Sequence, residues 1–109
     1  MKVLLTGSSG QLGKAIIAET KNLSSELNID LIQSTRKDMD LSNQKECKDM
    51  VNYYKPDWVL NAGAYTLVDQ AESQSELAYA INAKAPETFV EVLENFGGRL
   101  LQISTDFVF

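Results

Sequence analysis

The chain has 109 residues, 44% of them hydrophobic, with ten Lys and Arg residues against fifteen Asp and Glu residues. This length predicts a single domain, and the net charge of −5 argues against nucleic-acid binding because the cations are scattered among acids. One cysteine and no histidine exclude, within this chain, a disulfide, a zinc cluster and His-dependent catalytic sets. No apolar run predicts a membrane span and no secretory signal opens the chain, so we expect a cytoplasmic location.

A strand and a helix are predicted at the start of the chain. The apolar run over residues 2–6 predicts the strand. The segment from residue 11 to about residue 24 predicts the helix, with Leu12, Ala15 and Ile16 on one face.

Gly7, Gly10 and Gly13 lie between this strand and this helix, in the arrangement of a dinucleotide-binding turn. Gly7 allows a turn with positive φ, Gly10 lets the backbone approach a pyrophosphate, and Gly13 lets helix and strand pack closely. The N–H groups of the first helical turn then face the phosphates. Taken alone, the glycines are also compatible with an ordinary strand-to-helix turn.

The middle of the chain predicts a second strand over residues 29–34 and a short extended piece at Asp40 and Leu41. A helix capped by Ser42 should then run to about Tyr54. Cys47 lies on the apolar face of this helix, which indicates a buried cysteine rather than a reactive one.

The second half of the chain continues the alternation of strands and helices. Residues 55–57 break the preceding helix before a strand over residues 58–61. A long helical region over residues 67–96 is expected to be interrupted near residues 82–86, where Pro86 suits the first turn of a new segment. Gly97 and Gly98 end it, and residues 99–105 form the last predicted strand.

This alternation predicts an α/β fold, a Rossmann-like doubly wound parallel sheet that the chain follows to about its fifth strand. Residues 1–109 would be the N-terminal part of an NAD(P)-binding domain. Ligands of such sheets bind at the carboxyl ends of the strands, which here carry small or polar residues.

Residues at those strand ends suggest which nucleotide is bound. The second strand ends without an acid and is followed by Arg36, which favours NADPH over NADH, although NADH is also an expected ligand. Asp40 and Leu41 could contact the adenine, and Ala62 and Gly63 would let the cofactor approach closely. The alternatives are a charged surface loop at Arg36, a helix-entry aspartate at Asp40 and a plain tight turn after the strand.

Ser104, Thr105 and Asp106 close the last predicted strand, where a substrate carbonyl would face a nicotinamide. Hydroxyl groups could equally finish the strand by bonding the backbone. Three acids at helical spacing, Asp69, Glu72 and Glu76, indicate a solvated helix face.

Three segments together resemble the dTDP-4-dehydrorhamnose reductase family of extended short-chain dehydrogenases/reductases: residues 5–13, 55–72 and 103–109. The glycine motif is shared across the superfamily. The Ala-Tyr-Thr-x-Val-Asp-x-Ala-Glu run and the Ser-Thr-Asp-Phe-Val-Phe ending are more discriminating. The resemblance implies NAD(P)H-dependent reduction of the 4-keto group of dTDP-4-dehydro-L-rhamnose to dTDP-L-rhamnose.

The resemblance also implies roles for single residues. Gly10, Gln11 and Leu12 would contact the pyrophosphate, and Asp40 and Leu41 the adenine. Ala64, Tyr65 and Thr66 would lie on the ribose and nicotinamide side. Thr105 would be the hydroxyl member of a catalytic Thr-Tyr-Lys set, and Asp106 would lie beside the sugar nucleotide.

Two departures from the family pattern are visible. Gly63 stands where the family often has alanine, and no Tyr-x-x-x-Lys pair follows Thr105 within the chain. The chain is therefore expected to supply the cofactor site of a longer reductase that acts on a nucleotide sugar. The last strand would expose an apolar edge, so we expect self-association, for instance as a homodimer.

Two other functions stay open at this point. The family also resembles the regulatory β subunit of methionine adenosyltransferase, which would make the chain a noncatalytic NADP-binding module. The third alternative is another nucleotide-sugar epimerase or dehydratase.

Overall fold

A computed structural model describes residues 1–35, 37–63 and 80–102, with the side chains of residues 23–27 and 82 outside the description. In chain order, the described elements are β1 (Lys2–Thr6), α1 (Gln11–Leu27), β2 (Asp30–Gln33), α2 (Gln44–Tyr54), β3 (Trp58–Asn61), a π-helical segment (Ala80–Lys84), α3 (Ala85–Leu93) and β4 (Arg99–Gln102).

The described strands form one parallel sheet in the order β2-β1-β3-β4. The register places Leu4 of β1 beside Ile32 of β2 and Val59 of β3, and Val59 beside Leu100 of β4. The predicted α/β class and parallel sheet are therefore confirmed.

The chain reverses its direction across the sheet at β1, because β2 lies on one side of it and β3 on the other. Right-handed crossovers then place α1 on one face of the sheet and both α2 and α3 on the opposite face. Such a reversal is a topological switch point, where the carboxyl ends of the two central strands leave room for a ligand.

The main core lies between the sheet and helices α2 and α3. It consists of buried side chains that are all apolar or weakly polar: Leu4, Met39, Cys47, Val51, Val59, Ala85, Phe89, Val92 and Leu93. Val3 and Leu5 are also buried but alternate with Leu4, which directs them to the opposite face of the sheet.

The amino ends of the strands are joined around Asp57. Its carboxylate accepts a hydrogen bond from the Lys2 N–H at 2.8 Å, and its own N–H donates to the Lys2 carbonyl oxygen at 2.8 Å. The Arg99 N–H donates to the Asp57 carbonyl oxygen at 2.9 Å. Asp57 therefore links β1, β3 and β4 at their amino ends, opposite to the carboxyl ends where a ligand is expected.

Helix α2 begins one residue later than the sequence suggested. Asn43, not Ser42, is the N-cap, and its side chain accepts from the Glu46 N–H at 3.2 Å. Ser42 instead donates its N–H and its hydroxyl to Asp40 Oδ1, in the turn that precedes the helix. The helix ends at Tyr54, and its C-cap, Lys55, is a non-glycine residue in the left-handed region with a φ of 46°.

The expected interruption near residues 82–86 is a π-helical segment, Ala80–Lys84, that leads into α3. Pro86 lies in the first turn of α3, as predicted, where a missing N–H costs no hydrogen bond. Gly97, with a φ of 76°, then turns the chain toward β4.

One other expectation was wrong. Asp40 and Leu41 form a turn and not a strand, because the Asp40 carboxylate accepts from both the Ser42 N–H and the Ser42 hydroxyl. The described sheet accordingly has four strands up to β4, one fewer than expected. On α1, Leu12 and Ala15 are exposed, whereas Gly13 is the buried residue of the first turn.

No helix in the described ranges is long and apolar enough to cross a membrane.

Cys47 is fully buried, as predicted, beneath the turn at Asp40 and Leu41. Its thiol lies 3.7 Å from the Asp40 carbonyl oxygen. Burial, followed by the nearby charges of Asp40 and Glu46, raises the pKa of the Cys47 thiol to about 11. The folded protein therefore holds this thiol in its neutral form.

We predict that Cys47 makes the protein lose stability at alkaline pH. Because the pKa is raised on folding, the contribution of Cys47 is complete below its ordinary value of 9.0 and is lost as the pH approaches 11. The slope from one such group is at most about 1.4 kcal/mol per pH unit. Urea unfolding from pH 7 to 11 should show a steeper decline for the native sequence than for Cys47→Ala, and parallel declines would contradict the prediction.

Candidate functional site

The turn after β1 packs directly against the loop after β3. Gly7 has a φ of 63°, and a Cβ at this position would lie 2.8 Å from Gly63 Cα and 3.0 Å from the Ala62 carbonyl carbon. Two backbone segments therefore touch at the switch point with no side chain between them. This contact requires glycine at position 7 for both its conformation and its size.

Helix α1 approaches the same turn equally closely. A Cβ on Gly13 would overlap the Gly7 carbonyl oxygen and lie 2.7 Å from Ser8 Cα. The third glycine of the motif thus has the role that the sequence suggested, which is to let the helix pack against the turn.

Gly10 differs from both neighbours in the motif. It is exposed, and the nearest atom to a Cβ at this position would be the Gly7 carbonyl oxygen at 3.5 Å, an ordinary van der Waals distance. The protein's own packing therefore does not require glycine here. A ligand that approaches the backbone from outside would require it.

The amino end of α1 points N–H groups at this open position. The Gly10 N–H donates to the Gly7 carbonyl oxygen at 3.1 Å, and Lys14 donates to the Gly10 carbonyl oxygen at 2.9 Å. Gln11 and Leu12 lie in the first turn of α1, where backbone N–H groups have no carbonyl acceptor within the helix. The first turn contains no acidic side chain, which leaves the positive end of the helix dipole uncompensated there.

The loop after β2 is tied to the glycine turn. The Ser8 N–H donates to the Ser34 carbonyl oxygen at 3.1 Å, and the Ser34 N–H donates to the Leu5 carbonyl oxygen at 2.9 Å. This loop also brings Leu41 over the switch point, because a Cβ on Gly63 would overlap Leu41 Cδ1. The departure at Gly63 thus has a local reason, since the Leu41 side chain fills the space that an alanine methyl group would need.

A hydrogen-bond network, which the sequence reasoning missed, crosses the carboxyl ends of three strands and is buried at Thr6 and Asn61. The Gly63 N–H donates to Thr6 Oγ1 at 3.2 Å, and Thr6 Oγ1 donates to Asn61 Oδ1. Asn61 Nδ2 donates to Gln102 Oε1 at 2.7 Å. The polar residues at these strand ends are visible in the sequence, but only the strand register places Thr6, Asn61 and Gln102 side by side on adjacent strands.

The structure brings most of the described site residues together at the carboxyl ends of the strands. Around the switch point lie Gly7, Gly10, Gln11, Leu12, Gly13, Leu41, Ala62 and Gly63. Asp40 belongs to the same loop, where its Oδ1 accepts from the Ser42 N–H at 2.9 Å. Other expected site residues lie outside the described residues: Arg36, Ala64, Tyr65, Thr66, Thr105 and Asp106. Within the described ranges, no group of acidic or cysteine side chains is arranged to hold a metal ion.

Comparison with known proteins gives one family and several close structures. The family model described as RmlD substrate binding domain matches residues 1–109. The chain is 36% identical over 110 residues to the spore coat polysaccharide biosynthesis protein SpsK of Bacillus subtilis, covering 99% of this chain and 37% of that protein.

Two crystal structures of dTDP-4-dehydrorhamnose reductases superpose closely on the chain. The Clostridium acetobutylicum protein gives a TM-score of 0.87 at 38% identity, covering 100% of this chain and 38% of that one. The Bacillus anthracis protein, solved in complex with NADP, gives a TM-score of 0.83 at 34% identity, covering 99% and 37%. The chain thus spans little more than a third of the length of these relatives.

We predict opposite outcomes for alanine at two glycines of the motif. Gly13→Ala forces a methyl group into the Gly7 backbone and should lower the free energy of unfolding by about 1–3 kcal/mol or more. Gly10→Ala meets open space and should stay within about 1 kcal/mol of the native sequence. Urea unfolding followed by circular dichroism measures both, and equal losses would show that the two positions are packed alike.

Proposed function

This chain belongs to the RmlD substrate binding domain family, and from that premise we propose that it supplies the dinucleotide site of an NAD(P)H-dependent reductase. The substrate would be a dTDP-linked 4-keto-6-deoxysugar, dTDP-4-dehydro-L-rhamnose. Reduction of its 4-keto group would give dTDP-L-rhamnose. Because the chain spans only part of its relatives, this activity is proposed for the protein at its natural length.

The observation that carries the proposal is the different environment of the three glycines. Packing within the chain explains Gly7 and Gly13, but it leaves Gly10 with open space in front of it. A diphosphate that lies against the Gly10 backbone and the N–H groups of Gln11 and Leu12 would explain why a side chain is missing there.

The remaining contacts follow the order of the strands. Asp40 and Leu41 would bind the adenine from the loop after β2, and Ala62 and Gly63 would let the cofactor pass over β3. Ala64, Tyr65 and Thr66 would contact the ribose and the nicotinamide.

NADPH is the proposed cofactor. The chain places Ser34 and Thr35 directly after β2, so no acid stands where an NAD-binding domain commonly binds the ribose 2′-OH. Arg36 and Lys37 follow and offer positive charge to a 2′-phosphate. The bound NADP in the Bacillus anthracis relative is consistent with this assignment.

When bound, the reduced cofactor supplies a hydride to the carbonyl carbon. The Thr105 hydroxyl would donate a hydrogen bond to the carbonyl oxygen and orient it, and Asp106 would contact the sugar nucleotide. In the family pattern the proton comes from the tyrosine of a Tyr-x-x-x-Lys pair that follows the threonine, and no tyrosine of this chain has a lysine four residues later.

The first test is NADPH binding by Gly10→Asp. The new side chain places a carboxylate where the pyrophosphate is expected, so affinity should fall at least about tenfold, which is 1.4 kcal/mol. Binding is followed by the fluorescence of the reduced nicotinamide and not by that of Trp58. Trp58 begins β3, at the end of the sheet opposite to the candidate site.

Asn52→Asp is the matched control for this test. It adds the same charge at an exposed position on α2 and should bind NADPH as the native sequence does. Unchanged affinity in Gly10→Asp would refute the pyrophosphate site.

The second test concerns Thr105 in the protein at its natural length. Thr105→Val removes the hydroxyl donor and should lower kcat for 4-keto reduction about 10²–10³-fold, as expected for one lost donor at a developing oxyanion. Thr105→Ser keeps the hydroxyl and should retain most activity. A native protein that binds NADPH but reduces no nucleotide sugar would favour the noncatalytic regulatory module.

A further inference from the structure

The tip of the Leu41 side chain lies where the carboxyl ends of β1 and β3 meet. A Cβ on Gly63 would overlap Leu41 Cδ1, and it would lie 3.4 Å from Thr6 Oγ1 and 3.6 Å from the Gly7 nitrogen. The space in front of Gly63 is therefore bounded by the end of β1 and by the loop after β2. In this chain Leu41 takes the space that a methyl group at position 63 would need.

The backbone of Gly63 is held in place by two contacts. Its N–H donates to Thr6 Oγ1 at 3.2 Å. Its Cα packs so closely on the glycine turn that a Cβ on Gly7 would lie 2.8 Å from it. Gly63 does not have a positive φ, so alanine can adopt the same backbone conformation. The size of a side chain at this position, and not its conformation, therefore decides what a substitution would do.

The backbone around Leu41 is held as well. Asp40 Oδ1 accepts from the Ser42 N–H at 2.9 Å, and the Asn43 N–H donates to the Asp40 carbonyl oxygen at 2.9 Å. Leu41 is half-buried and packs against the main core. A methyl group at position 63 would therefore turn the flexible end of the Leu41 side chain and leave both backbone segments where they are.

The position of this side chain matters for a ligand at the switch point. In sheets of this topology, the ligand lies at the carboxyl ends of the central strands. The two faces of an adenine ring are apolar and are bound by packing against apolar side chains. How deeply the tip of Leu41 lies between the strand ends therefore sets the surface that such a ring would meet.

We propose that Gly63 is a positioning residue for adenine binding, because its missing side chain lets Leu41 lie deep at the switch point and form the apolar floor for the ring. This inference rests on the proposed cofactor site. It gives Gly63 a role besides the passage of the cofactor over β3, and this role is exerted through Leu41.

The test measures the dissociation constants of NADPH and of its adenine half, adenosine 2′,5′-bisphosphate, with variants of the protein at its natural length. Gly63→Ala should weaken the binding of both ligands by the same factor, about tenfold, which is the effect of one methylene group in an apolar pocket. A loss for NADPH alone would mean that the methyl group obstructs the cofactor directly, and it would overturn the inference.

Leu41→Val shows whether the effect passes through Leu41, because valine lacks the Cδ1 atom that the methyl group would displace. In the native background this substitution shortens the floor and should weaken both ligands. In the Gly63→Ala background it makes room for the methyl group and should restore most of the lost affinity. A double variant that binds no better than Gly63→Ala would contradict the proposed coupling.

Thermal unfolding of the same variants separates this role from a loss of packing. Because only the end of a side chain has to move, Gly63→Ala should unfold close to the native temperature. A large loss of stability that Leu41→Val does not repair would show that the backbone contact itself needs glycine, and the inference would fall.

Failure of the underlying cofactor site would look different. The native protein would then bind neither NADPH nor adenosine 2′,5′-bisphosphate, and the inference would fall together with the proposed function. A native protein that binds both ligands, with unchanged affinities in Gly63→Ala, would refute the role of Gly63 alone.

Discussion

Contact between backbone atoms at the switch point is the constraint on which the rest of the molecule depends. Gly7 touches Gly63, and Gly13 touches Gly7 and Ser8, without a Cβ in either contact. The two central strands and helix α1 can meet only because these positions are glycine. The amino end of the helix is thereby held beside the ends of β1 and β3, which gives the site its shape before any ligand arrives.

Buried polar groups then fix what surrounds this contact. Thr6 and Asn61 are almost completely buried, and each satisfies its side chain through the other and through Gly63 or Gln102. A buried network of this kind is costly to leave incomplete, so it favours one arrangement of the strand ends. Backbone packing thus brings helix α1 and the two central strands together, and hydrogen bonding aligns the ends of three strands.

The sequence predicted the regular elements well because hydrophobic periodicity and glycine punctuation are local signals. The strand at residues 2–6, the role of Pro86 and the burial of Cys47 were all recoverable in this way. The loop after β2 was not, because an aspartate can accept from donors two residues on in a turn or from the first N–H groups of a helix as its N-cap, and the local sequence permits both at Asp40. The Thr6–Asn61–Gln102 network needed the strand register, which becomes known only when the sheet order is known.

Lys55 offers a consequence of a different kind. It closes α2 in a left-handed conformation that glycine adopts without penalty, and it lies at the end of the sheet opposite to the candidate site. The fold therefore tolerates backbone strain at Lys55, far from the candidate site at the carboxyl ends of the strands. Lys55→Gly would relieve this strain at the amino ends of the strands and leave the residues of the candidate site unchanged.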